Sequence, residues 1–297
     1  MTTPPLQPLR HTRILSLALN LPGPAALLRC AQMGAECTKL EPLAPGGAAS
    51  ADPMGVYSPH AYAALHANVR VLQAQLKTEA GQATLHAELA TTDVLITSFR
   101  PSALAKLGLA WEALHTRYPR LSLVRIVGAT GARADEAGHD LTYLAQAGLV
   151  TGTEMPPTLY ADMGGALMAS EAVLQAQLAR AQDGRGVCIE VGLAEAAQWL
   201  ALPRTWGLST PDGDVGGQHA GYRIYPCADG RVAVAALEPH FATRLCAAAG
   251  LAPSSGMPEL LRLPATHHAI AAFLHSQSRA QLQALATAQD IPLHVLP

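Results

Sequence analysis

Charge is scarce in this chain of 297 residues: only 14% are Asp, Glu, Lys or Arg, and the formal net charge is −2. The 20 basic residues are scattered, which leaves no electrostatic footprint for nucleic acid and no basic run for a membrane surface. Cysteine is sparse too. Cys30, Cys37, Cys188, Cys227 and Cys246 form no CxxC pair and no zinc-spaced Cys/His set, and this odd, sparse count argues against a disulfide framework and fits a reducing cytosol. The histidines near the end (His240, His267, His268, His275, His294) have no metal-ligand spacing, so no metal is expected. No apolar run reaches the roughly 18 residues that a membrane span needs. No basic stretch leads into an apolar one at the N-terminus, and no peroxisomal signal closes the chain, so a soluble, cytoplasmic protein is expected. GxGxxG, GxxxxGK[ST] and GxSxG are all absent, which removes the dinucleotide, P-loop and serine-hydrolase readings.

What is present is alternation. Short β-branched runs at 12–17, 36–40, 69–72, 93–97, 121–127 and 187–191 are separated by Ala- and Leu-rich stretches with helical spacing. These lie at 23–33, 79–90, 101–107, 111–117, 140–149 and 163–181, with another from 194. Such alternation predicts a parallel α/β sheet. The segment STPDGDVGGQHAG at 209–221 is dense in turn formers and reads as a linker. A hairpin around Asp229-Gly230 and three further helices then predict a smaller α+β domain. The expected organisation is a large α/β domain over 1–208, a linker over 209–221 and a small domain over 222–297.

Three acidic or basic residues stand where strands end and helices begin. In open α/β sheets ligands bind beyond the carboxyl ends of the strands. His139, in GATGARADEAGHDLTY, occupies such a place; the plain alternative is that Asp140 caps a helix and His139 merely precedes it. Asp162, in LYADMGGALMAS, reads equally as a helix cap. Gly164 and Gly165, each costing about 1 kcal/mol against Ala in a helix, suggest a ligand approaching bare backbone. Glu238 precedes Pro239 after an apolar strand; a capping or dipole-complementing role is the plain alternative, weaker here than for Asp162 because Glu is not a preferred cap. Arg100 follows a buried strand and precedes a proline-initiated helix, a place to meet phosphate, though such an Arg is more often a plain surface residue. Lys39, Arg70 and Lys77 also sit at strand ends or turns.

The segments LPGPAALLRCAQMGAECTKLEP, ANVRVLQAQLK, DVLITSFRPSALAKLGL, AGHDLTYLAQAG, ADMGGALMAS, GRGVCIEVGLAEA, YRIYPCADGRVAVAALEPHF and DIPLHVL resemble, in order, the family III CoA-transferases and within them the α-methylacyl-CoA racemases. The resemblance implies a Rossmann-like large domain with a parallel sheet, a small α+β domain, and two chains interlocked as a homodimer. It implies an acyl-CoA thioester as partner, with coenzyme A part of the substrate and no tightly bound cofactor. It also implies a C-terminal segment returning to the large domain, which this sequence, stopping at HVLP, lacks. By motif position His139 and Asp162 match the racemases' acid/base pair, and Glu238 the carboxylate that supports the histidine. Lys39, Arg70, Ala74, Lys77, Arg100, Gly138, Asp140 and Tyr143 match CoA-binding stretches. Met163, Leu167 and Met168 are candidates to hold an acyl chain. His139, Asp162 and Glu238 together favour 1,1-proton transfer at the α-carbon. CoA transfer through Asp162, or a non-catalytic CoA-binding paralogue, is the alternative.

Overall fold

The computed structural model describes residues 6–44, 46, 50–252 and 257–297. The chain divides into two compact units, Met1–Ala201 and Leu202–Pro297, so the expected boundary at 208 falls inside the second unit. The first unit runs β1 (Arg13–Ser16), α1 (Pro22–Gln32), β2 (Glu36–Glu41), α2 (Pro53–Tyr57), α3 (Pro59–Leu65), β3 (Arg70–Gln73), α4 (Glu79–Leu89), β4 (Val94–Thr97), α5 (Pro101–Lys106), α6 (Trp111–Arg117), β5 (Ser122–Val127), α7 (Asp140–Gln146), α8 (Tyr160–Asp183), β6 (Cys188–Gly192) and α9 (Leu193–Leu200). Its six strands form one sheet in the order β3-β2-β1-β4-β5-β6, every pairing parallel. This is the doubly wound order, whose direction reverses between β1 and β4.

The near-continuous apolar strands follow from burial on both faces. Alternate residues part to opposite sides. Ile14, Val94, Ile96, Val124 and Ile126 pack with α1 and α8, while Leu15, Leu95 and Leu123 pack with α4, α5 and α6. The buried side of α8 is built from Ala166, Ala169, Ala172 and Ala176, small enough to let α1 approach closely. α1 begins at a proline and is followed by Gly34 at φ 96°, the left-handed stop its sequence requires.

The second unit comprises α10 (Leu202–Thr205), β7 (Tyr222–Cys227), β8 (Gly230–Ala235), α11 (Pro239–Ala248), α12 (Met257–Leu260), α13 (Pro264–Ser276), α14 (Arg279–Gln289) and β9 (Leu293–Leu296). Its antiparallel sheet, β7-β8-β9, buries Tyr225, Val232 and Val234 with Leu245, Ile270, Leu274 and Leu282. The third strand, β9, was not expected: a short run with a histidine in it carries little strand signal until β8 pairs with it.

Candidate active site

A cavity of about 410 Å³ opens at the carboxyl ends of the central strands of the first unit. Leu19, Asn20 and Leu21 after β1, Ser98 and Arg100 after β4, Gly128, Gly138 and His139 after β5, and Leu193 after β6 all contribute to it. The cavity therefore lies at the reversal point of the strand order, where neighbouring connections leave to opposite faces and part.

The loop from β5 to α7 carries His139 and is pinned at several points. Glu195 accepts hydrogen bonds from the Thr130 N–H (3.1 Å) and hydroxyl (3.0 Å), and Glu190 accepts one from the Gly131 N–H at 3.0 Å. Gly128 and Gly138 leave room for one ring: a Cβ at either would stand 2.4–2.5 Å from the Tyr143 side chain. Tyr143, a predicted ligand contact, is thus buried between them, with its hydroxyl titrating high chiefly because of that burial. Replacing Gly138 by alanine should force the ring out, costing about 1–3 kcal/mol. Thermal denaturation of Gly138→Ala checks this, and the loss should shrink when Tyr143 is also replaced by leucine.

His139 sits at the N-cap position of α7 in an extended backbone. Its N–H donates to Thr142 Oγ1 at 3.1 Å, and its exposed ring is left at the cavity. Asp140 is not the cap of its own helix. It is the first residue of α7, buried, and its Oδ1 accepts the Asp162 N–H at 3.0 Å, so it satisfies the start of α8 instead.

Asp162 is likewise not a cap but the third residue of α8, half-buried and facing the cavity. Burial, then the neighbouring Asp140 charge, raise its pKa from 3.8 to about 6, while His139 pulls the other way. The paired glycines have a packing explanation rather than a ligand one. A Cβ on Gly165 would stand 2.2 Å from Leu193 Cδ2, and one on Gly164 3.2 Å from Leu200 Cδ1, so they let α9 lie against α8. Met163 and Leu167 are exposed and are not part of the cavity lining, and Met168 packs on the core. Leu19, Leu21, Met54, Ile126, Leu159 and Leu193 supply the apolar lining instead.

Of the other predicted positions in the first unit, Arg100 alone lines the cavity, exposed at the start of α5. Lys39, expected to meet CoA, is 0% exposed. Its Nζ is engaged by Asp52, by Glu41 at 3.4 Å and by His66 Nε2 at 3.0 Å. His66 donates Nδ1–H to the Tyr62 carbonyl, and burial first, then Lys39, holds its pKa low, so the ring is a neutral acceptor for the ammonium. Ser50 and Tyr62 donate to Glu41. Lys39 is therefore a structural cation. Arg70 pairs with Glu88 and donates to Thr38 Oγ1 at the amino end of the sheet, lining a separate polar cleft. Ala74 is a core residue in one cluster with Leu40 and Leu85, its N–H donating to the Glu41 carbonyl, and Lys77 is exposed in the turn before α4. Glu238 belongs to the second unit, exposed at the N-cap position of α11. Among the described residues no cluster of His, Cys, Asp and Glu is suited to a metal, and no helix is long and apolar enough to cross a membrane.

Asn20, Met54 and Tyr57 line the cavity although sequence reading passed over them. Tyr57 donates its hydroxyl to Asn20 Oδ1 at 2.9 Å, and its pKa is raised by burial, then by the Asp52 and Asp162 charges. The one available signal was the polar Asn in an apolar strand-to-helix turn.

Residues 9–296 match the family model for CoA-transferase family III. The chain belongs to that family. Succinyl-CoA–D-citramalate CoA-transferase of Chloroflexus aurantiacus is 31% identical over 97% of the chain and 78% of its own length. Human α-methylacyl-CoA racemase is 30% identical over 82% of the chain, which spans 65% of that relative. Among solved structures, Rv3272 of Mycobacterium tuberculosis superposes with TM-score 0.80 at 23% identity, covering 99% of this chain and 85% of its own. A CaiB/BaiF family protein of Brucella suis superposes with TM-score 0.76 at 22% identity over 99% and 85%. The family thus contains both racemases and transferases among this chain's relatives, and the α/β fold with its parallel six-stranded sheet is shared with solved members.

Proposed function

We propose that this family member is a racemase or epimerase of 2-methylacyl-CoA thioesters, moving a proton on and off the α-carbon with Asp162 and His139. The observation that carries the reading is a carboxyl group with its pKa raised to about 6, sharing one cavity with a histidine ring. Asp162 is then able to gain and lose a proton near neutral pH, and with His139 as the second proton carrier each group serves as base in one direction and as acid in the other. Asp162 takes the α-proton, the electron pair moves onto the thioester oxygen as an enolate, and protonated His139 returns a proton to the carbon. The reverse direction exchanges the roles. Coenzyme A is carried by the substrate, with Arg100 at the cavity rim the basic residue placed for its phosphates. A homodimer, and a role for Glu238 in orienting the histidine, rest on the resemblance alone.

In heavy water the protein should wash deuterium into the α-carbon of a 2-methylacyl-CoA without releasing CoA, as mass spectrometry reads directly. His139→Ala should slow this by about 10²–10⁴-fold. A variant exchanging at the wild-type rate removes His139 from the mechanism. The second reading is CoA transfer to a carboxylic acid through an acyl anhydride on Asp162, favoured by the transferase that matches 97% of the chain. In that reaction the Asp162 carboxylate attacks the thioester carbon and CoA leaves as thiolate. Hydroxylamine trapping of the acyl group on Asp162 separates the two.

A further inference from the structure

A developing enolate needs fixed hydrogen-bond donors at its oxygen. The start of α8 is the obvious source, yet little is left there. The Asp162 N–H is taken by Asp140, the Met163 N–H by the Leu159 carbonyl, and Ala161 is fully buried. Across the cavity stands Asn20, between β1 and α1, with φ 64°. A non-glycine residue keeps that left-handed conformation where its surroundings hold it. Here Asp52 Oδ1 accepts the Asn20 N–H at 3.0 Å and the Met54 N–H at 2.9 Å, and Asp52 is itself fixed by buried Lys39. The side chain is fixed as well. Tyr57 donates to Asn20 Oδ1, which sets the carboxamide so that its NH₂ is the end left over.

We infer that the Asn20 carboxamide is a catalytic residue, donating an N–H to the thioester carbonyl oxygen of the bound acyl-CoA. Two other donors at the cavity are placed for other work. The Tyr143 hydroxyl is wedged between Gly128 and Gly138, and Arg100 is exposed at the rim. Asn20, its partner Tyr57 and Asp162 all line the one cavity, so the amide and the acid/base group face the same bound thioester. The buried Lys39–Asp52 pair then has a purpose beyond stability: it holds the backbone that presents the donor. This inference rests on the acyl-CoA reading above, but it applies to an enolate and to the tetrahedral oxyanion of CoA transfer alike.

The test uses Asn20→Gly, since glycine adopts positive φ without strain and the fold is kept. Infrared difference spectra of 2-methyldecanoyl-CoA, isotopically labelled at the thioester carbon and bound to the protein, report the hydrogen bond without turnover. The wild-type carbonyl band should lie at lower frequency than the Asn20→Gly band, and coincident bands overturn the proposal. Deuterium exchange should fall about 10²–10³-fold in Asn20→Gly. It should fall as far in Asn20→Asp, which offers no N–H, and less in Tyr57→Phe, where the amide is free to rotate. A band difference in a wild type that exchanges no α-proton ends the racemase reading and keeps the donor. Exchange with coincident bands does the reverse.

Discussion

Asp162→Asn is expected to abolish α-proton exchange while making the protein more stable at neutral pH. Both effects have one cause. The native pKa of Asp162 is raised from 3.8 to about 6, so its ionised form is disfavoured by the fold. The sign follows from proton counts: between pH 3.8 and about 6 the native state binds more protons than the unfolded chain, so stability falls as pH rises through that window. Above it the full cost is present. A shift of this size corresponds to at most about 3 kcal/mol, and partial solvent contact brings the expected gain on neutralising the group to roughly 1–3 kcal/mol. Asparagine keeps the shape and its backbone N–H to Asp140 but carries no charge. Chemical denaturation should therefore show Asp162→Asn more stable than wild type at pH 7.5 and equal to it below about pH 4. Equal stability at both pH values would contradict a raised pKa. Exchange should drop at least about 10³-fold, since one of two proton carriers is gone. A group held at a cost to stability is what an active-site acid/base requires, and reversal of that cost by a dead variant is its signature.

Lys39→Met is expected to be the most destabilising single change among the predicted binding residues, by about 3–5 kcal/mol, because Asp52 and Glu41 would stay buried without their cation. An exposed phosphate ligand behaves differently: its loss weakens CoA binding and leaves the melting temperature alone. Denaturation of Lys39→Met beside a binding titration with CoA distinguishes the two. Adding Asp52→Asn should recover part of the lost stability, since the double variant leaves one fewer unpaired charge. An unchanged melting temperature with weakened CoA binding would return Lys39 to the role that motif position assigned to it.

That contrast marks where reading the chain alone stopped. Lys39 at the end of a strand looks like a solvated or ligand-binding cation, and nothing nearby in sequence contradicts it. Its burial depends on Asp52 and His66, which arrive on different elements, 13 and 27 residues further on. In the sequence Gly164 and Gly165 suggest room for a ligand, but the neighbour they accommodate is α9, which begins at Leu193. Asn20 escaped notice because a single Asn in a turn has many uses. Only Tyr57 and Asp52, brought alongside by α2, restrict it to one.

By contrast, the six parallel strands, their intervening helices and the position of His139 beyond a strand end were legible along the chain. Those features depend on periodicity, on glycine and proline at helix ends, and on turn chemistry, all of which act between near neighbours. The sequence by itself therefore determined a parallel α/β sheet and the end of its strands at which a cavity is expected, while the doubly wound strand order came from the structure. Tertiary structure alone decided which polar groups face that cavity. Whether a carboxylate or an ammonium is a reagent or a buried strut depends on its partners and its access to water, and both come from residues distant in the chain. Asp162 became an acid near pH 6 because the fold buried it and then set Asp140, from another helix, against it.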